Sequence, residues 1–239
     1  MTTIEGPLRE PISPGSVVFT SQEMPYGQLV TKEVELGEGR IRIEGLSRKG
    51  LSYSGEKKAS EDACVVIKNG EALQVIVADG GTQIEKVPTL DELGMTGGRY
   101  IATKVEQLGR ALDPSRSAKA NLQDLNAEIG KDIKIRHPSV LYEEHSHNTP
   151  YGSVAAAKID ARNKTLEVAN AGDVFVIVLT ISGQPLLLTV DDVYEKDHMT
   201  FAATRRAADK YGVKFREAMQ QRTTDPRFHE IVEEMEETM

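Results

Sequence analysis

The most constraining feature of the sequence is a pair of short apolar runs separated by Asn69-Gly70, residues 63–68 (ACVVIK) before it and 72–78 (ALQVIVA) after it. Asn-Gly takes up the backbone of a tight hairpin turn at little cost, so this stretch predicts two antiparallel strands. The acids stand at the open end of that hairpin. Ser60-Glu61-Asp62 leads into the first run, and Asp79-Gly80-Gly81 follows the second. A hairpin brings its open ends together, so Glu61, Asp62 and Asp79 are expected to converge. Clustered carboxylates repel one another unless a cation joins them, and hard divalent ions such as Mg²⁺ or Mn²⁺ are the natural partners. Taken alone, Asp-Gly-Gly is a common turn and Ser-Glu-Asp a common solvated strand start. The cluster therefore gains meaning from its setting.

That setting is an alternation of strand-like and helix-like blocks. Residues 1–29 carry Pro7, Pro11, Pro14 and Pro25 without a sustained period and read as an irregular arm, with one short strand at 16–20. Residues 30–46 alternate apolar and polar on both sides of Gly37-Glu38-Gly39 and read as a second hairpin. Ile101, Val105, Leu108 and Leu112 mark one helix face; Ala118, Leu122, Leu125, Ile129 and Ile133 mark another after the Asp113-Pro114-Ser115 break. Strand character returns at 153–160 and 165–170. The run 174–179 has the unbroken apolar character of a central, doubly covered strand. Gly183-Gln184-Pro185 turns into a strand at 186–190, a helix is expected over about 199–222, and a last helix starts at Pro226 with Asp225 as its N-cap. In that last helix Phe228, Ile231, Val232, Met235 and Met239 form an apolar stripe opposite five glutamates. Hairpin-like links imply antiparallel sheets, so the fold class expected is α+β, not a doubly wound parallel sheet.

Composition excludes some functions. With 29 Lys+Arg against 37 Asp+Glu the net charge is −8, which argues against a protein that coats nucleic acid. Cys64 is the single cysteine and forms no internal disulfide. No basic-then-apolar leader opens the chain, and no apolar run nears the roughly 20 residues that span a bilayer. These features together point to the cytoplasm, with no membrane partner.

The order of short motifs resembles that of the type 2C metal-dependent protein phosphatases. Ser60-Glu61-Asp62-Ala63 is similar to that family's Asn-Glu-Asp element, and Val77-Ala78-Asp79-Gly80-Gly81 to its Ala-Asp-Gly element. A helix pair, Tyr151-Gly152-Ser153-Val154-Ala155, Val168-Ala169-Asn170-Ala171-Gly172-Asp173 and Leu187-Leu188-Thr189-Val190-Asp191 then follow in the family's order. The resemblance implies an antiparallel β-sandwich flanked by helix pairs, in α-β-β-α layers, with residues 30–239 as one domain. It implies hydrolysis of a phosphoserine or phosphothreonine protein, or of a small phosphate ester, by water activated at two Mg²⁺ or Mn²⁺ ions. By the same resemblance Asp79 is the bridging metal ligand and Gly80 a carbonyl ligand. Glu61 is the acid that reaches a metal, partly through water, Asp62 its supporting neighbour, and Asp173 structural support.

Three departures qualify what the resemblance implies. The family's phosphate-gripping Arg is replaced by Lys57, beside Lys58, a point charge without a bidentate fork. Residues 82–96 make a longer loop, either a flap or an insertion without a role. After Leu188-Thr189 the family's two distal metal carboxylates have no counterpart; Asp191, Asp192 and Asp197 match no motif. Two alternatives to the enzyme follow: a catalytically deficient phosphatase-like regulatory or scaffolding module, and the N-terminal portion of a longer or split phosphatase whose partner completes the sheet and the metal site. His145 and His147 lack a third ligand at useful spacing. The Gly97-Gly98 helix start offers free N–H groups to an anion, as a bare dipeptide only.

Overall fold

A computed structural model of the chain describes residues 16–21, 28–46, 61–81, 95–136, 149–190, 194–221 and 225–228. The chain forms two compact units, residues 1–189 and 190–239. The first is α+β. Among the described residues its strands are β1 (Ser16–Thr20), β2 (Leu29–Leu36), β3 (Gly39–Leu46), β4 (Asp62–Asn69), β5 (Ala72–Gly80), β6 (Gly152–Asp160), β7 (Thr165–Ala171), β8 (Ile177–Leu179) and β9 (Pro185–Leu187). The helices described there, α1 (Gly97–Gly109) and α2 (Ala118–Arg136), fall between β5 and β6.

The main sheet has the order β1-β4-β5-β6-β7, with every pair antiparallel. The β4–β5 hairpin supplies its centre, as the Asn-Gly signal predicts. The tight turn lies one residue later than expected: Asn69 is the last paired residue, opposite Ala72, and the linking residues are Gly70 and Glu71. Gly70 carries the positive φ of +57° that an L side chain disfavours.

Strand alternation gives this sheet two different faces. Ala63, Val65, Ile67, Ile76, Ala78 and Ala156 point to one side, where they pack with Tyr100, Ile101 and Val105 of α1 and Leu122, Leu125, Ile129 and Ile133 of α2. The predicted stripe of α2 is its buried face, and Ile101 and Val105 of the α1 stripe are buried, with Leu108 partly so and Leu112 past the end of the helix. Val66 and Leu73 point to the other side, against Phe19 of β1 and Val34 and Leu36 of β2. The β2–β3 hairpin therefore lies across the sheet face opposite the helices. Lys32 Nζ of β2 also donates to the Val18 carbonyl at 2.8 Å.

A buried polar clamp holds the α1–α2 turn on the sheet. Asn121 Nδ2 donates to Gln74 Oε1 at 2.6 Å and to the Asp113 carbonyl at 2.8 Å. Lys158 Nζ donates to the Ser115 carbonyl at 2.9 Å.

Two expectations are corrected. The run 174–179 is not a central strand. Only Ile177–Leu179 is extended, it pairs with Pro185–Leu187 alone, and Ile177 and Leu179 are 59% and 70% exposed. An apolar run specifies burial only when another apolar face meets it, and the five-stranded sheet ends at β7.

The helix expected over 199–222 is likewise two helices, α3 (Tyr194–Tyr211) and α4 (Phe215–Gln221). Gly212, at φ +64°, stops α3, and Val213 N–H reaches back to the Ala208 carbonyl at 3.0 Å, closing a glycine C-cap. These helices belong to the second unit. Its core is Ala203, Ala207, Ala208, Ala218 and Phe228, with Tyr211 and Val213 packed around it. Asp225 caps the last turn, Pro226–Phe228, as expected, accepting Arg227 N–H on Oδ1 at 3.0 Å. Ile231, Val232, Met235 and Met239 lie outside the described residues. No helix among the described residues is long and apolar enough to cross a membrane.

Candidate functional site

The open end of the β4–β5 hairpin is where the predicted site residues fall, and strand geometry sorts them. Asp62 is the first residue of β4, directly opposite Asp79 near the end of β5, and Asp79 in turn is opposite Ser153 of β6. Successive side chains along a strand alternate, so Asp62 shares a face with Val66, and Asp79 with Leu73. Both aspartates therefore stand on the face away from α1 and α2. The two carboxyl groups are hydrogen-bonded to each other.

Asp173 is delivered to the same place from β7. Gly172, at φ +90°, bends the chain back so closely that a Cβ there would lie 2.2 Å from Ser153 Oγ. Asp173 N–H then donates to Ser153 Oγ at 3.3 Å. The expected supporting position of Asp173 thus falls beside Asp79. Partial burial, followed by the Asp62 charge and hydrogen bond and the charges of Asp173 and Glu61, pushes the Asp79 carboxyl up to about 6. Asp79 accordingly holds a proton at mildly acidic pH that an isolated aspartate has already lost.

Glu61 goes the other way. It is the residue before Asp62, so its side chain turns toward the helices, and Thr96 Oγ1 donates to Glu61 Oε1 at 2.5 Å. Thr96 is also the N-cap of α1, accepting Arg99 N–H on the same hydroxyl at 3.1 Å. The start of α1 therefore already has a carboxylate beside it. A glutamate in that position complements the positive end of the helix dipole.

Gly80 packs back to back with Gly98 on the same side. A Cβ on Gly80 would sit 2.2 Å from the Gly98 carbonyl oxygen, and one on Gly98 would sit 2.7 Å from that of Gly80. No side chain fits between β5 and α1 here. The four metal-site positions that the resemblance implies are thus divided: Asp62 and Asp79 on one face, Glu61 and Gly80 on the other. Lys57 and Lys58, His145 and His147, Asp191 and Asp192, and most of the 82–96 loop lie outside the described residues.

The chemistry of the open face fits a hard divalent cation. Two carboxylates within hydrogen-bonding reach, with a third acid nearby, are oxygen donors whose mutual repulsion a cation would relieve. The donor count is small, however. Among the described residues no group of three or more His, Cys, Asp or Glu side chains is arranged to hold a metal ion. Asp62 and Asp79 would supply two ligands, and the six or more oxygens such ions take would include several waters.

Two participants carried no assigned role in the sequence reading. Ser153 faces Asp79 and anchors Asp173; it stands inside a motif already noted, without a role attached to it. Thr96 had a legible signal, since a threonine directly before the first helical residues is an N-cap pattern. Cys64, two residues after Asp62 on the same strand face as Val66, is a partly buried thiol, its pKa pushed up to about 11 by burial and by the charge of Glu106. The chain matches no protein-family model, no curated protein and no solved structure.

Proposed function

We propose that the chain is a metal-dependent phosphomonoester hydrolase of the type 2C phosphatase kind, with a related layered fold, acting in the cytoplasm on phosphoserine or phosphothreonine in a protein or on a small phosphate ester. The observation that carries the reading is the Asp62–Asp79 pair, whose charges are forced together at a sheet end and need either a proton or a cation. Mg²⁺ or Mn²⁺ bound there would lower the pKa of a water and neutralise phosphoryl oxygens. The chain's own part is positional. The hairpin register holds Asp62 and Asp79 side by side as the cation's ligands, and the Gly172 bend keeps Asp173 close, adding negative charge that strengthens cation binding. The Ser153 hydroxyl, fixed by Asp173 N–H, lies next to the pair as a polar neighbour for water.

The experiment is Mn²⁺-stimulated hydrolysis of 4-nitrophenyl phosphate by the full chain and by Asp79→Asn. Activity that depends on Mn²⁺ and falls at least about 100-fold in the variant supports the reading, since even outer partners of metal sites cost about 10–100-fold. Equal rates in both proteins overturn it.

A second reading is favoured by one observation. Glu61 is committed to Thr96 on the opposite face, which leaves a site short of ligands and suits a phosphatase-like regulatory module without turnover. That module predicts no heat of Mn²⁺ binding in calorimetry, whereas the enzyme predicts a binding isotherm lost in Asp79→Asn.

A further inference from the structure

In the β8–β9 hairpin of the first unit, sequence and surroundings disagree. Residues 174–190 contain no Asp, Glu, Lys, Arg or His, in a chain that is 28% charged. Such a stretch belongs in an interior, since an antiparallel ribbon with a wet face places polar side chains on that face. The structure leaves it outside.

The hairpin is well braced. Ile177–Leu179 pairs with Pro185–Leu187, and Leu188 N–H donates to the Val176 carbonyl at 2.9 Å. Val176 N–H donates to Thr189 Oγ1 at 2.9 Å. At the tip Gly183 takes a φ of +79° and its N–H donates to the Thr180 carbonyl at 2.8 Å, while Gln184 N–H donates to Thr180 Oγ1 at 3.0 Å. A surface held in this way loses little freedom when a partner covers it.

The pairing register sorts the side chains by face. Residues directly opposite share a face, so Ile177 with Leu187 and Leu179 with Pro185 form one apolar face, and Val178 with Leu186 stands on the other. Ile177, Leu179 and Leu187 are 59%, 70% and 60% exposed. With Phe175 and the fully exposed Ile181 beyond the two ends of β8, this apolar surface is on the order of 600 Å², the upper end for the largest patch on a typical monomer. Two such surfaces remove about 1,200 Å² from water on meeting, the size at which specific interfaces begin.

Charge decides between the possible occupants. Asp173 precedes the hairpin, Asp191-Asp192 follows it, and residues 174–190 hold no Lys, Arg, Trp or Tyr. A hairpin seated on a membrane uses cations toward anionic headgroups and aromatic anchors at the interface, and these acidic flanks do the opposite. A charged partner finds no counter-charge on the face. A second copy does fit. A two-fold axis that reverses one hairpin against the other sets each acidic base beside the partner's uncharged tip, Ile181-Ser182-Gly183-Gln184, so no like charges meet.

We propose that the chain is a two-fold homodimer in which the face formed by Ile177, Leu179, Pro185 and Leu187 packs on the same face of a second copy. The partner supplies the covering layer that the five-stranded sheet does not give this run. In dilute protein, below the dissociation constant, the hairpin stays in water, so the stability of the single chain is insensitive to substitutions there.

The test is sedimentation velocity of the full chain across the micromolar range, with Leu179→Lys and Leu187→Lys on the proposed face and Leu186→Lys on the other. All three positions are exposed, and circular dichroism checks that each variant keeps the parent's fold. The proposal expects a discrete species of twice the monomer mass with a micromolar dissociation constant. It expects dimerisation weaker by at least about tenfold in Leu179→Lys and Leu187→Lys, which bring an uncompensated charge into the interface, and little changed in Leu186→Lys. Asp79→Asn dimerises like the parent, so the outcome is independent of the phosphatase reading. A monomer throughout the range, open-ended aggregates in place of a dimer, a dimer that folded Leu179→Lys leaves intact, or a dimer lost equally in Leu186→Lys each overturns the proposal. So does binding of the chain to phosphatidylserine-containing vesicles that is lost in Leu179→Lys.

Discussion

Glu61 and Asp62 are adjacent acids at the start of one strand, yet they serve opposite faces of the sheet. On the helix side everything is closed. Glu61 is bonded to Thr96, Gly80 meets Gly98 backbone to backbone, and Gly109 of α1 is similarly tight, since a Cβ there would lie 2.6 Å from Val65 Cγ1. On the other side, Asp62 and Asp79 stand side by side near Asp173, and burial together with the neighbouring charges pushes the Asp79 carboxyl up to about 6. The difference teaches that a cluster of acids in sequence is not one site. Strand alternation divides it into a half that seats a helix and a half where aspartate carboxyl groups crowd one another.

Substitutions can break that division, and the largest effect is expected on the closed side. Gly80→Ala puts a methyl 2.2 Å from the Gly98 carbonyl oxygen, and rigid backbone cannot yield as a side chain does. A loss of about 3 kcal/mol or more in urea unfolding is expected, at the upper end of overpacking costs. A loss under about 1 kcal/mol would show that α1 moves freely from the sheet.

Next comes the chemical side, where Asp79→Asn is expected to abolish Mn²⁺-stimulated phosphate hydrolysis. The same change leaves the metal-free fold as stable or more stable near neutral pH, because it removes a charge from a repelling cluster. Loss of stability together with activity would place Asp79 on the structural side of the comparison instead.

A smaller effect is expected at the contact that holds Glu61 away from the aspartates. Thr96→Ala removes the N-cap of α1 and the hydroxyl bonded to Glu61, at a cost of about 1 kcal/mol, read as a lower urea midpoint with unchanged slope. Metal binding by Asp62 and Asp79 is expected to survive it.

The pH dependence has a definite sign. The folded-state pKa of Asp79 is about 6, above the ordinary 3.8. The folded protein therefore holds more protons than the unfolded chain between those values, and stability falls as pH rises through that window. Its contribution is fully present below the unfolded pKa and lost above the folded one. Denaturant midpoints of the chelator-treated protein should show this decline, and Asp79→Asn should flatten it. A rise in stability over the same window would contradict the assignment.

The smallest effect is expected at the exposed β8–β9 hairpin. Ile177→Ala is expected to change stability by no more than about 0.5 kcal/mol, as exposed positions do, whereas Ile76→Ala in the sheet centre should cost about 2–5 kcal/mol. Both residues are β-branched and sit in apolar runs, and only the second is covered on its face.

The sequence by itself determined the local elements and the acid pair. The Asn-Gly signal specified the β4–β5 hairpin to within one residue, and antiparallel pairing then required Asp62 and Asp79 to meet. The 3.6-residue stripes specified α1 and α2: all five predicted positions of α2 are buried, as are Ile101 and Val105 of α1, while Leu108 is partly buried and Leu112 lies past the end of α1. These features are legible because turn chemistry and side-chain period act over a few residues. Only the tertiary structure decided which face each acid serves, because Glu61 is drawn to Thr96, a residue 35 positions away. It alone showed that the apolar run 174–179 meets no covering layer, since burial belongs to the partner as much as to the run. The split of the 199–222 helix lies between these cases. Gly212 is visible in the sequence, but whether a glycine ends a helix depends on whether the capped end finds a core to pack against, and here Val213 and Ala218 provide it.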